Sequence, residues 1–155
     1  MKVEVAEDLI TDISRHAADR YPEECCGVLI GKVSPGGPAE EVRSVLQLHR
    51  VDNERTEERE RRYLIGPEAF RQAEDAAERS DLQIVGFYHS HPDHPAVPSE
   101  VDRKQAWPWY SYLIVSVRGG EPQDFRSWRL AADRSEFQEE SWRTMPNNQR
   151  TPSCP

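Results

Sequence analysis

The residues best able to do chemistry lie in one stretch, GFYHSHPDHPAVPSEVD, from Gly86 to Asp102. His89 and His91 are two apart at the end of a segment that reads as a strand. Alternate strand residues point to the same side, so both imidazoles can face one point. Neutral imidazole is a good zinc ligand. Asp102 follows after a loop and half a turn of helix and adds a carboxylate. Two histidines and one carboxylate leave a fourth tetrahedral position for water, which distinguishes a catalytic zinc site from a structural one. Zinc draws the pKa of such a water towards neutrality and makes a nucleophile available. The expectation is one catalytic Zn2+ held by His89, His91 and Asp102.

Plainer readings compete with this one. A strand histidine usually does no more than pack. Ser99 and Asp102 also fit a helix-capping pattern, S-x-x-D, which needs no metal. A carboxylate has two oxygens, so capping and metal binding are compatible. His94, between Asp93 and Pro95, is a further candidate ligand but reads as an exposed loop residue. The deaminase signature H-x-E with P-C-x-x-C is absent, and so is the helical H-E-x-x-H. A hydrolase of this kind also needs a proton carrier. Glu23 and Glu24 stand immediately before the apolar run CCGVLIG, where burial raises a carboxyl's pKa. The residues alone do not choose between the two acids, and both can instead cap the strand start in water.

The elements that must position these groups follow from periodicity. Leu9, Ile10, Ile13 and Ala17 recur at helical spacing, so Glu7 to Arg20 reads as an amphipathic helix ended by Tyr21-Pro22. Cys25 to Gly31 is short and continuously apolar, which suits a buried strand. Pro35 to Pro38 is a turn cluster. Glu41 to Val51 reads as a second strand, Tyr63 to Ile65 as a short one, and Glu68 to Arg79 as a helix after Gly66-Pro67. The intervening NERTEERERR, Asn53 to Arg62, reads as a solvated loop. Leu82 to His89 and Tyr110 to Val117 are β-rich, with a short helix from Ser99 to Ala106 between them, capped by Ser99. Phe125 to Leu130 and Glu136 to Trp142 are the last two strands. The order predicts an α+β (α/β/α-like) fold: a mixed, mainly antiparallel central sheet flanked by helices. Residues 1–143 form one domain in this reading, and 144–155 a flexible tail.

Bulk properties narrow the function. The 155 residues suffice for one core. A net charge of -8 opposes nucleic-acid binding and gives no attraction to an anionic membrane. No run of ~18 apolar residues is present, so no membrane span is expected. The start, MKVEVAEDLI, lacks the basic-then-apolar pattern of a secretory signal. Three cysteines, two of them adjacent, form no disulfide framework, which points to a reducing cytoplasm.

Taken together, the motifs resemble the JAMM (MPN-plus) metalloprotease family. Its pattern is an upstream Glu, then H-[ST]-H, seven residues, Ser, two residues and Asp. Here that reads Glu24, His89-Ser90-His91, Pro92 to Pro98, Ser99 and Asp102. The family's E-x-C-G-x-L-x-G segment is matched from Glu24 to Gly31, and its PxxPS turn from Pro95 to Ser99. The resemblance implies a cytidine-deaminase-like JAMM/MPN architecture. It implies zinc on His89, His91 and Asp102, with Glu24 activating the zinc water and shuttling its proton. Ser99 would donate a hydrogen bond to the oxyanion, and Ser90 would be structural. It further implies a peptidase or isopeptidase that cleaves after the C-terminal glycine of a ubiquitin-like protein or sulfur carrier, whose Gly-Gly tail would lie in a shallow groove as an added strand. The leaving group would be cysteine, a lysine side chain or a peptide. The 53–62 loop and Trp107 to Tyr110 are candidate partner surfaces, although a core or strand-edge reading of these aromatics comes first. The alternatives are a non-catalytic MPN-type scaffold and a thiol hydrolase using Cys25 or Cys26.

Overall fold

The computed structural model describes residues 2–35 and 41–147. They form seven strands and three helices: β1 (Lys2–Ala6), α1 (Glu7–Arg20), β2 (Cys26–Ser34), β3 (Val42–Val51), α2 (Pro67–Arg79), β4 (Gln83–Pro92), α3 (Glu100–Gln105), β5 (Ser111–Arg118), β6 (Glu121–Leu130) and β7 (Phe137–Met145). The strands close into a barrel in the order β1-β3-β2-β4-β5-β6-β7.

That closure corrects the expected architecture. An open sheet flanked by helices, the α+β or α/β/α-like scheme with a cytidine-deaminase-like layout, is not what forms. The difference lies in Lys2-Val3-Glu4-Val5, to which the sequence reading assigns no element. It is a strand, with Val3 and Val5 buried and Lys2 and Glu4 half-buried on the other face. It pairs in parallel with β3 on one side (Val3 with Arg43) and with β7 on the other (Val3 with Trp142). The two strands that would have been sheet edges are thereby joined, and closure removes unpaired edges.

Two apolar clusters fill the fold. The first gathers Val3, Val5, Leu29, Val45, Tyr88 and Val115 with the buried stripe of α1, Leu9, Ile13 and Ala17. The second gathers Cys26, Val28, Ile30, Phe87 and Tyr112 with Ala73 and Ala77 of α2. Residues Cys26 to Gly31 of β2 are all buried, because β2 sits between β3 and β4. Two of its glycines are required by close approach. Gly27 lies opposite Tyr88, and a Cβ there would fall 2.2 Å from the Tyr88 ring. A Cβ on Gly31 would fall 1.7 Å from the Ser44 carbonyl oxygen.

Residues 63–65 form no strand ladder and lead towards α2, with the Leu64 carbonyl accepting from the Glu54 N–H at 3.1 Å. Among the described residues no helix is long and apolar enough to cross a membrane. Most of the expected tail, residues 148–155, lies outside the described residues; Thr144 and Met145 end β7.

Gly31→Ala should lower the unfolding free energy by about 3 kcal/mol, because the obstacle is backbone and not a flexible side chain. Urea unfolding of the two proteins measures this. An unchanged midpoint would mean that β3 shifts away at no cost.

Candidate active site

β4 carries His89 and His91 between β2, antiparallel to it, and β5, parallel to it. Both side chains are buried and turn to the same side, with their Nε2 atoms 3.2 Å apart. Asp102, in the first turn of α3, is also buried. Its Oδ2 lies 3.1 Å from His91 Nε2 and 3.4 Å from His89 Nε2. The three groups form a potential metal-binding cluster.

The donor separations fit a metal ion. A tetrahedron with bonds of ~2.05 Å has edges of roughly 3.3 Å, close to the sides of this triangle. The ring of His91 is oriented for ligation: its Nδ1 is 2.8 Å from the Pro95 carbonyl, which can only accept, so Nδ1 carries the proton and Nε2 presents a lone pair. His89 is held differently. Tyr63 stacks on it with centroids 4.5 Å apart and planes at 24°.

Asp102 also closes the helix cap. Ser99 Oγ accepts from the Asp102 N–H at 3.0 Å, and Asp102 Oδ2 accepts from the Ser99 N–H at 2.9 Å, a complete capping box. Capping and metal-facing roles therefore meet on one oxygen instead of dividing between two. Because the Ser99 hydroxyl accepts in the cap, its own proton remains available to a ligand.

Electrostatics follow from burial and proximity. In the metal-free protein burial by itself pushes the Asp102 carboxyl up, but its contacts with the imidazoles of His89 and His91 prevail and hold it well below the usual carboxylate range. Burial lowers His89 in spite of Asp102, which favours the neutral imidazole. His91 is raised, since its contacts with Asp102 outweigh burial.

The structure separates the two acids that the sequence left open. Glu23 is half-exposed and pairs with Arg59 at 3.6 Å. Glu24 is only 3% exposed, and its Oε1 has no hydrogen-bond partner among the described residues. Burial pushes its carboxyl up to about 8, with His91 lowering it and Asp102 raising it. Glu24, His91 and Ser99 line one cavity of about 510 Å³ with Arg61, His94, Pro95 and Val97. His94 is exposed on the rim and is not part of the metal-binding cluster.

Ser90, read from the sequence as structural, has its partners on the chain before β2, whereas Tyr63 escaped sequence reasoning. Ser90 Oγ accepts from the Cys25 N–H at 2.8 Å, and the Ser90 N–H donates to the Cys25 carbonyl at 3.1 Å, stitching β4 to the chain just before β2. A hydroxyl in an otherwise apolar strand, pointing away from the two ligands, was the available signal. Tyr63 had no signal, having been assigned to a strand. Trp107 and Trp109 are exposed and not core residues. Cys25 and Cys26 are both buried. Burial pushes Cys25 up to about 11 and Cys26 further, so neither offers a thiolate at neutral pH.

Comparison with known proteins agrees with this geometry. Residues 6–131 match the family described as prokaryotic homologs of the JAB domain. The chain is 36% identical over 120 residues to a desampylase from Haloferax volcanii, covering 77% of this chain and 81% of that protein. It is 30% identical over 127 residues to a CysO-cysteine peptidase from Mycobacterium tuberculosis, covering 81% of each. A protein of known solution structure from Salinibacter ruber is 46% identical, with a TM-score of 0.69 and coverage of 90% and 89%.

The double duty of Asp102 can be taken apart. Asp102→Asn retains an acceptor for the Ser99 N–H and should keep its thermal stability in chelator while losing bound metal. Asp102→Ala should lose metal and a further ~1 kcal/mol from the cap. Metal analysis after dialysis and melts in chelator measure both, and full metal content in Asp102→Asn would exclude the carboxylate as a required ligand.

Proposed function

Because the chain belongs to the prokaryotic homologs of the JAB domain, we propose that it is a zinc-dependent JAMM-type peptidase that hydrolyses the amide bond after the C-terminal glycine of a small ubiquitin-like or sulfur-carrier protein. One observation carries the reading: the buried carboxyl of Glu24, the imidazole of His91 and the hydroxyl of Ser99 open onto a single cavity. The names of two relatives, desampylase and CysO-cysteine peptidase, support the substrate class. A non-catalytic scaffold would have no use for a partnerless buried carboxyl beside a complete ligand set.

His89, His91 and Asp102 would hold the metal. When bound, zinc supplies a Lewis acid that acidifies water and polarises a carbonyl. Glu24 takes the proton that attacking water must lose as the new C–O bond forms. The same carboxyl returns that proton to the amine as the C–N bond breaks, so one group serves as base and then acid. Burial favours the protonated carboxyl that the second task needs, and the charge of bound zinc would favour the ionised carboxylate that the first needs. Ser99 donates its free proton to the oxyanion that develops on the carbonyl oxygen, a contact of the kind worth ~3 kcal/mol. A Gly-Gly tail carries no side chains and would enter the cavity that Pro95 and Val97 help to line. The buried, unpaired Cys25 and Cys26 suit a reducing cytoplasm.

Turnover of a fluorogenic amide of a peptide ending in Gly-Gly tests the reading. Chelator should abolish the activity and zinc restore it. Glu24→Gln should keep zinc and lose at least ~10³-fold in kcat, while Ser99→Ala should keep zinc and lose ~10²-fold. Wild-type turnover in Glu24→Gln would sink the assignment. That inactive variant should also retain the natural carrier conjugate in a pull-down.

A further inference from the structure

We propose that Asn53 is a positioning residue for Glu24, a role that rests on the reading of Glu24 as proton carrier. Glu24 precedes β2, which begins at Cys26, so no ladder holds its peptide. Its backbone is gripped instead by the 53–62 loop. The Glu24 N–H donates to the Arg59 carbonyl at 2.7 Å, and the Glu24 carbonyl accepts from Asn53 Nδ2 at 3.2 Å.

Asn53 spends its whole hydrogen-bonding capacity on this junction. Nδ2 also donates to the Arg62 carbonyl at 2.9 Å, while Oδ1 accepts from the Arg55 N–H at 3.0 Å and the Leu64 N–H at 3.0 Å. A primary amide offers two donors and two acceptors, and all four are engaged. Leu64 follows Tyr63, the residue stacked on His89. One side chain thus ties the backbone of the proton carrier to the segment whose ring covers a metal ligand. The arrangement demands an amide: a carboxylate would face the Glu24 and Arg62 carbonyls with no proton to give, and an apolar residue would release all four groups. Displacement of a reacting group by about 1 Å can cost on the order of 100-fold in rate, so this grip belongs to catalysis as much as to folding.

The test uses Asn53→Asp and Asn53→Ala in the full chain, each made in the wild-type and Glu24→Gln backgrounds, with the zinc-loaded protein and the fluorogenic Gly-Gly amide. Asn53→Asp keeps the acceptors for Arg55 and Leu64 and removes only the donors to Glu24 and Arg62. Both variants should keep zinc and lose about 10- to 100-fold in kcat, with KM changed less than about twofold. In the Glu24→Gln background the same substitutions should cost almost nothing more, because the group they position has gone. Wild-type kcat in Asn53→Asp, loss of zinc, or an equal fold loss in both backgrounds would each overturn the proposal and leave Asn53 a loop clamp. Full turnover in Glu24→Gln alone would instead overturn the reading of Glu24 on which it rests.

Discussion

The site depends on one stitch between two strands. Ser90 stands between His89 and His91, and strand alternation sends its side chain away from them. There its hydroxyl and backbone N–H take both polar groups of Cys25. This pairs the chain just before β2 with the middle of His89-Ser90-His91, and the ladder continues with Cys26 opposite His89. The register is therefore what brings Glu24 within reach of His91. A slip of one residue would turn every β4 side chain to its opposite face and take both imidazoles from the cavity. Gly27 belongs to the same constraint, since only a residue without a Cβ leaves room for Tyr88 in this register, with its hydroxyl 2.8 Å from His16 Nδ1.

The stitch assembles groups that oppose one another electrostatically. Glu24 and Asp102 are both buried acids near His91, and their responses diverge. Asp102 has imidazole partners and stays ionised, whereas Glu24 has none and is raised from 4.5 to about 8. For the metal-free protein the linkage signs are opposite. Asp102, depressed in the folded state, contributes stability that is lost as pH falls through the acid range. Glu24, raised in the folded state, binds a proton that the unfolded chain releases, so its contribution declines as pH rises from 4.5 towards 8. Two carboxyls within one site thus titrate in opposite directions, because Asp102 has hydrogen-bonding partners and Glu24 Oε1 has none among the described residues.

Much of the local structure was legible in the sequence, and the long-range pairing was not. The bounds of α1 follow from the spacing of Leu9, Ile13 and Ala17 and from the stop at Tyr21-Pro22, all local properties. The convergence of His89 and His91 follows from alternation, which is equally local. The barrel did not follow. Val3 and Val5 form too short a pattern to announce a strand, and their importance comes from lying between β3 and β7, which are more than thirty residues apart from each other and from β1 along the chain. Tyr63 shows the converse error. Its run has strand-like composition, but no neighbour offers it a ladder, and its ring is used against His89 instead. Ser90 and Asn53 are small polar residues of common types, and only their partners reveal what they do.

The charged loop makes sense once its charges and its backbone are considered separately. Glu58 pairs with Arg61 at 3.1 Å and with Arg62 at 3.2 Å, all on exposed or half-exposed side chains. Such surface pairs contribute little to holding a segment in place. The loop is fixed by neutral hydrogen bonds, from Asn53 to four backbone groups and from Glu24 to Arg59. Anchoring therefore does not depend on the arginine and glutamate side chains. Arg61 reaches the cavity that holds Glu24 and Ser99, so its charge can act on whatever enters there without disturbing the backbone that keeps Glu24 in place. A segment whose sequence looks like mere solvation thus combines a hydrogen-bonded main chain that holds Glu24 with an arginine, Arg61, that lines its cavity.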